Sequence, residues 1–295
     1  MTKKKDRTPF LLKLIRWTYP KVEAVFPFLA HRFFITLFFS PLKYKATDKE
    51  LKAETFANPF QIEVDGKKIQ CYRWGNSTRT VVVIHGWAGR ATQFRRFFKP
   101  LTAAGYQVVG FDGPAHGKSE GRRTNIREFE ETLRKIYEQV GVPEAIITHS
   151  FGGGVALMAA MNGLRVKTLI NIASPTIGEE IIRTYLNAIN GSEGTMAFFR
   201  QEVLKRYGRP FEEYTALYFV KHLKQPVNLL LVHDTDDKEV LMKHPQALLR
   251  EYPSAELYQT SGLGHYRILK DDKVIREVIS YIRQHEPATP DLVPG

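Results

Sequence analysis

Ser150 stands in the run Thr148-His149-Ser150-Phe151-Gly152-Gly153-Gly154, between a short apolar segment (Ala145 to Thr148) and a small-residue helical segment (Val155 to Met161). A serine at a strand-to-helix junction sits exposed on a strained turn at a helix N-terminus, where its hydroxyl can serve as a nucleophile. Strand and helix approach closely there, so small residues are needed two positions either side; Gly152 meets this and Thr148 departs from it. A serine hydroxyl is a weak nucleophile at neutral pH and needs a base, which in turn needs an orienting acid. His265, in Ser261-Gly262-Leu263-Gly264-His265, is placed to be the base, on a glycine-lined loop after a strand. Asp234, Asp236 and Asp237 follow the strand Val227 to Val232 and are the candidate acids. In His85-Gly86-Trp87-Ala88-Gly89 the glycines let backbone approach a ligand, and the N–H groups of Trp87 and Phe151 form the natural pair to hold a developing oxyanion. Each feature alone also reads as a packing turn, a surface histidine or an acidic loop.

These residues need a sheet with their loops on one edge. Asp65-Gly66 joins Phe60–Val64 to Lys67–Trp74 as a tight hairpin. Strands and helices then alternate. The uninterrupted Val81 to Ile84 predicts a strand covered on both faces. Phe94, Phe97, Phe98 and Leu101 predict a helix, and Gln107 to Phe111 a strand. Ile126, Phe129, Leu133, Ile136 and Val140 predict a second helix, ended by Gly141 and Pro143. Thr168 to Ile172 and Glu256 to Gln259 add strands, and Val274 to Ile282 a last amphipathic helix. Such alternation specifies an α/β fold, a mostly parallel sheet flanked by helices, with its binding crevice at the C-terminal strand edge.

The rhythm breaks between Pro175 and Gln225, a stretch without strand character that reads as a helical cap. The expected division is an N-terminal helical extension over 1–58, the α/β core over 59–175 and 225–285, the cap over 176–224, and a loose tail over 286–295. Cap side chains Tyr185, Phe198, Phe199 and Tyr214 are expected mainly in the cap's own core. In the extension, Phe26, Leu29, Ala30, Phe33 and Leu37 follow helical spacing. That stripe is expected to pack on the domain or on a second subunit, the other reading being a membrane-surface helix beside the basic tip of Lys3, Lys4, Lys5 and Arg7.

The 295 residues are 43% hydrophobic and 25% charged, enough for a sizeable core. A single cysteine, Cys71, rules out an internal disulfide and suits a reducing compartment, so a cytoplasmic location is expected, with a peripheral membrane contact left open. The net charge of +12 favours anionic partners in general. No zinc-ligand spacing, basic zipper or aromatic RNA-binding signature accompanies it, so nucleic acid is not expected. Gly113-Pro-Ala-His-Gly-Lys-Ser119 has one residue too few between its glycines for a phosphate loop, and no dinucleotide fingerprint is present. No cofactor and no metal are expected.

Together, His85–Gly89, Ser150 in its turn, the loop Asp112-Gly-Pro-Ala-His-Gly-Lys-Ser119, His233-Asp234-x-x-Asp237-x-x-Val240 and Gly264-His265 resemble the α/β-hydrolase superfamily, from about Phe60 to His285. The resemblance implies Ser150, Asp237 and His265 as the catalytic residues, with Asp234 and Asp236 as alternative acids. It implies Trp87 and Phe151 as the oxyanion hole and His85, Gly86 and Gly152 as supporting residues. Relatives that cleave halides or epoxides carry aspartate at the turn. Serine there implies a carboxylic ester or thioester substrate, acyl or lipid-like. Carbon–carbon bond hydrolysis and acyl transfer use a similar triad. A non-catalytic binding or membrane-surface protein on the same fold would be expected to lack one of its members, and none is missing.

Overall fold

The computed structural model describes residues 10–286; the basic tip of Lys3, Lys4, Lys5 and Arg7 and positions 287–295 of the tail lie outside them. Eight strands form one sheet: β1 (Asn58–Val64), β2 (Lys67–Trp74), β3 (Thr80–Ile84), β4 (Gln107–Phe111), β5 (Ala145–His149), β6 (Thr168–Ile172), β7 (Asn228–Asp234) and β8 (Glu256–Thr260). Their order is β1-β2-β4-β3-β5-β6-β7-β8. β1 and β2 pair antiparallel through the Asp65-Gly66 turn, whose two residues both have positive φ, and β2 pairs antiparallel with β4. From β4 to β8 every pairing is parallel.

Among the described residues the helices are α1 (Phe10–Val25), α2 (Pro27–Phe38), α3 (Asp48–Glu54), α4 (Arg95–Ala103), α5 (Ile126–Val140), α6 (Phe151–Met161), α7 (Gly178–Ile189), α8 (Glu193–Tyr207), α9 (Ala216–Lys221), α10 (Lys243–Glu251), α11 (Gly264–Arg267) and α12 (Asp272–Gln284). Alternate residues of the central strands feed two cores. Val82, Ile84 and Ile146 pack with α5, α6 and α9, while Val81, Val83 and Ile147 pack with α4 and α12. Both faces are therefore covered, which is why β3, β5 and β6 are apolar or buried at every position. Asn125 caps α5 by accepting from the amides of Arg127 and Glu128, and Asp271 caps α12 in the same way.

Helices α7 and α8 follow β6 and form the cap, whereas α9, expected within it, packs into the core of the sheet against α6. A third core, separate from the sheet, joins this cap to α1 and α2. Phe34 and Phe38 of α2 lie against Phe199 of α8, with ring centroids 5.7 and 4.5 Å apart. Tyr19 Oη lies 2.8 Å from Thr195 Oγ1. Glu23 accepts from the hydroxyls of Ser192 and Thr195. Burial alone would raise the Glu23 carboxyl, but these bonds and the one from His31 hold it below the ordinary carboxylate range.

The packed face of α2 differs from the stripe expected from sequence. Of Phe26, Leu29, Ala30, Phe33 and Leu37 only Ala30 is buried; Ala30, Phe34, Ile35 and Phe38 face the cap instead. Pro27 starts the helix at its first turn, so Phe26 falls outside it. The helix is apolar almost all round, so spacing alone does not define an inner face. No described helix is long and apolar enough to cross a membrane.

Phe34 is fully buried between the N-terminal helices and the cap. Phe34→Ala should destabilise that junction by about 3–5 kcal/mol. Limited proteolysis should then cut within 10–44 sooner than in the native chain; unchanged cleavage would contradict this packing.

Candidate functional site

The parallel register sets the site. Ile84 of β3 pairs with Thr148 of β5, so the loops that follow, His85–Gly89 and the turn at Ser150, start side by side. The chain runs from β3 to β4 on one side and later to β5 on the other, so this is the point where the sheet order reverses and a crevice opens. Ser150 has φ 52° and ψ −120°, a conformation that an L-residue holds only under constraint. Its N–H donates to Ile172 O at 2.9 Å, and Ser174 Oγ donates to its carbonyl. A Cβ on Gly152 would sit 2.4 Å from Ile84 O, so glycine is required there. A Cβ on Gly86 would meet Ser150 Cβ at 2.9 Å, which shows how closely the β3 loop presses on the serine. Thr148 is tolerated in place of glycine because its side chain is buried with its hydroxyl satisfied, 3.0 Å from Ile170 O and 3.2 Å from Asn171 Oδ1.

The loop after β7 separates the three aspartates. Asp237 Oδ2 lies 2.7 Å from His265 Nδ1, and its Oδ1 accepts from the amides of Glu239 and Val240 at 2.8 and 2.9 Å. Burial raises the Asp237 carboxyl, but the His265 bond and the two amides outweigh it and hold it below its ordinary value. Asp234 accepts from the amides of Asp236, Leu263 and Gly264 and from Thr260 Oγ1. Asp236 accepts from Gly262 N at 2.7 Å and Ser261 Oγ at 3.2 Å. These two therefore hold the turn that carries His265, while Asp237 holds the imidazole. His233 Nε2 donates to Val240 O at 2.8 Å and closes the loop.

His265 is buried, and the Asp237 carboxylate sets its tautomer with the proton on Nδ1, leaving Nε2 as a proton acceptor. Nε2 is 3.9 Å from a Glu239 oxygen. Among the described residues no hydrogen bond joins Ser150 Oγ to His265 Nε2; such bonds are often long until substrate tightens them. Ser150, His265, Gly86, Trp87 and Phe151 line one cavity of about 360 Å³. Phe151 opens α6, so its N–H has no acceptor within the helix. The rings of Trp87 and Phe151 meet edge to face at 5.3 Å.

The loop with phosphate-binding resemblance lies behind this cavity as a brace. Three of its amides are already taken, Lys118 N by Asp112, His116 N by Gly113 O, and Ser119 N by His116 O. His116 Nε2 accepts from Ala88 N at 3.0 Å, and His85 Nε2 accepts from Gly113 N at 2.8 Å, so both histidines lock the β3 loop. His149 is buried beside Ser150. Its Nε2 donates to His265 O at 2.9 Å, while its Nδ1 has no partner among the described residues.

Cap side chains divide. Phe199 is buried in the third core and Tyr185, Phe198 and Tyr214 pack against it, while Tyr185 and Tyr214 also line the cavity. Phe198 meets Phe28 edge to face and lies tilted against His31, both on the N-terminal helices. Arg183 and Arg200 are paired with glutamates of the cap rather than turned to the cavity. Sequence reasoning missed Phe38 and Phe39 from α2, and also Glu239 and His244, all of which line the cavity. Only Glu239 carried a signal, its place two residues after Asp237.

A family model for the alpha/beta hydrolase fold matches residues 79–270. The chain belongs to the α/β-hydrolase family. The hydrolase is 28% identical over 244 residues to an uncharacterized hydrolase, YugF, of Bacillus subtilis, covering 68% of this chain and 89% of that one. It is 26% identical over 113 residues to the monoglyceride lipase of Homo sapiens, covering 35% of this chain and 37% of the lipase. The crystal structure of a putative lipase from Acinetobacter baumannii superposes with a TM-score of 0.62 at 18% identity, over 82% of this chain and 97% of that one. At that identity the likeness speaks for the fold alone.

Burial pushes five histidines of this hydrolase down, His85 and His244 to about 4, His116 and His149 to about 3, and His233 below its ordinary value. In the unfolded chain each takes up a proton near pH 6.5. Below that pH the unfolded state binds more protons than the folded one, so stability falls as pH drops from about 6.5 toward 4. Thermal melting at stepped pH should show a steady decline across this window. A flat melting temperature would contradict the neutral state of these rings.

Proposed function

We propose that this hydrolase cleaves carboxylic esters or thioesters of apolar acyl groups through an acyl-enzyme on Ser150. The observation that carries this reading is the 2.7 Å Asp237–His265 pair, sharing an apolar-walled cavity with a serine in a strained turn. In the reaction, His265 Nε2 takes the Ser150 proton as Oγ attacks the substrate carbonyl. Asp237 stabilises the imidazolium through Nδ1–H. The N–H groups of Trp87 and Phe151 hold the tetrahedral oxyanion. His265 then returns the proton to the departing alcohol or thiol, and water, activated by the same imidazole, releases the acid. Asp234 and Asp236 act through the turn they bind rather than on the imidazole. The aromatic and aliphatic cavity wall, including Ile181, Tyr185, Val203 and Phe211, supports an acyl rather than a charged substrate. The monoglyceride lipase relative supports the same class.

Hydrolysis of p-nitrophenyl esters of increasing acyl length tests this. Ser150→Ala should lower kcat by several orders of magnitude, about 10³-fold or more. Asp237→Asn should lower kcat by a comparable factor with the melting temperature nearly kept. Asp234→Asn should lose less activity and more stability, since it replaces one of two oxygens that accept from backbone amides with a donor. Equal hydrolysis by the native and Ser150→Ala proteins would remove Ser150 as nucleophile, and a larger kcat loss in Asp234→Asn than in Asp237→Asn would reassign the acid.

A further inference from the structure

The junction of α1 and α2 breaks a rule of soluble surfaces. Val25, Phe26, Phe28 and Leu29 are 68, 62, 69 and 62% exposed, and Pro27 between them is also exposed. Five consecutive exposed apolar residues have no role in a water-facing surface unless something covers them. Trp17 and Phe33, on the two flanking helices, extend the apolar surface. The tip is not a loosely held end. Tyr19 and Glu23 lock α1 to the cap, and the opposite face of α2 is buried in the third core. The hairpin thus presents its apolar tip on a braced frame.

Charge identifies the occupant. Residues 1–44 hold nine Lys and Arg against two acidic residues, and one of those two, Glu23, is taken up by Ser192 and Thr195. Near the tip, Lys21 Nζ lies 3.1 Å from the centre of the Trp17 ring. An apolar wedge with Lys21 beside it, on a segment of net positive sequence charge, fits the boundary of an anionic bilayer, where aromatic rings enter the headgroup region and lysines meet lipid phosphates. A second copy of the chain would bring the same positive charge against itself across a twofold interface, which disfavours self-association.

We infer that the α1–α2 tip docks this hydrolase on anionic lipid bilayers, with Val25 to Leu29 inserted at the headgroup boundary. From the tip, the 12 residues of α2 run about 18 Å to Phe38 and Phe39 in the cavity wall. On the acyl-ester reading above, this brings the cavity within reach of acyl chains leaving the bilayer; the docking itself needs no hydrolysis.

Co-sedimentation of the full chain with phosphatidylcholine vesicles, with and without phosphatidylglycerol, tests the inference. The native protein and Ser150→Ala should bind the anionic vesicles equally, and added salt should weaken that binding. Phe26→Glu with Phe28→Glu should cut binding by about tenfold or more, since two buried rings are lost. The uncharged Phe28→Ser should show a smaller loss, with melting temperature and hydrolysis of a short soluble ester unchanged. Absence of vesicle binding by the native protein would overturn the docking. So would binding indifferent to Phe26 and Phe28, or a dimer in solution that the double substitution dissociates. Ester hydrolysis lost in Ser150→Ala but retained without vesicle binding would leave the proposed reaction standing and remove only the docking.

Discussion

Between Thr148 and Gly152 the backbone passes from a buried strand into a helix with almost no space to turn, and Ser150 takes the strain at φ 52°. A non-glycine residue in such a conformation costs about 1–3 kcal/mol and persists only where its surroundings over-determine it. Here they do. Gly152 lets α6 close against the Ile84 carbonyl, Gly86 brings the β3 loop against the serine, and the Ser150 amide is tied to β6. The small residues of α6 allow the same closeness along its length, and most of them are buried. Relaxing this turn would move the serine away from the cavity and separate the two loops that meet there.

The second tier of organisation is polar. Each of three neighbouring aspartates has a different set of donors, and those donors decide what it can do. Asp234 and Asp236 spend their acceptors on the turn from Ser261 to Gly264, which aims His265. Asp237 keeps one oxygen for two backbone amides and the other for the imidazole. Neutral histidines do similar bracing at the β3 loop, where His85 and His116 each accept one amide and donate to a carbonyl. The site is thus held by bonds between loops that are far apart in sequence, which makes its geometry a property of the whole sheet edge.

Above the sheet, the cap and the first two helices form one body with its own core. This ties the N-terminal helices to the cavity, because α2 contributes Phe38 and Phe39 to its wall while its other end carries the exposed apolar tip. Substrate selection, in the proposed reaction, is therefore shared between cap and N-terminal hairpin.

The α/β class and the mostly parallel sheet were legible from the sequence, because Val81 to Ile84, Asp65-Gly66 and the Phe94 to Leu101 periodicity are strong local signals. The residues that gather at the sheet edge were legible for the same reason: each lies just past a strand, and parallel pairing carries all such positions to one side. Three things depended on tertiary structure. Which aspartate meets His265 is set by competition among backbone amides that only the folded loops bring together. Which face of α2 is inward is set by Phe199 and Phe211 of the cap, since a helix apolar on nearly every side has no inner face of its own. Phe38 and Phe39 reach the cavity only because α2 docks on the cap, a contact about 160 residues distant in sequence that no local pattern encodes.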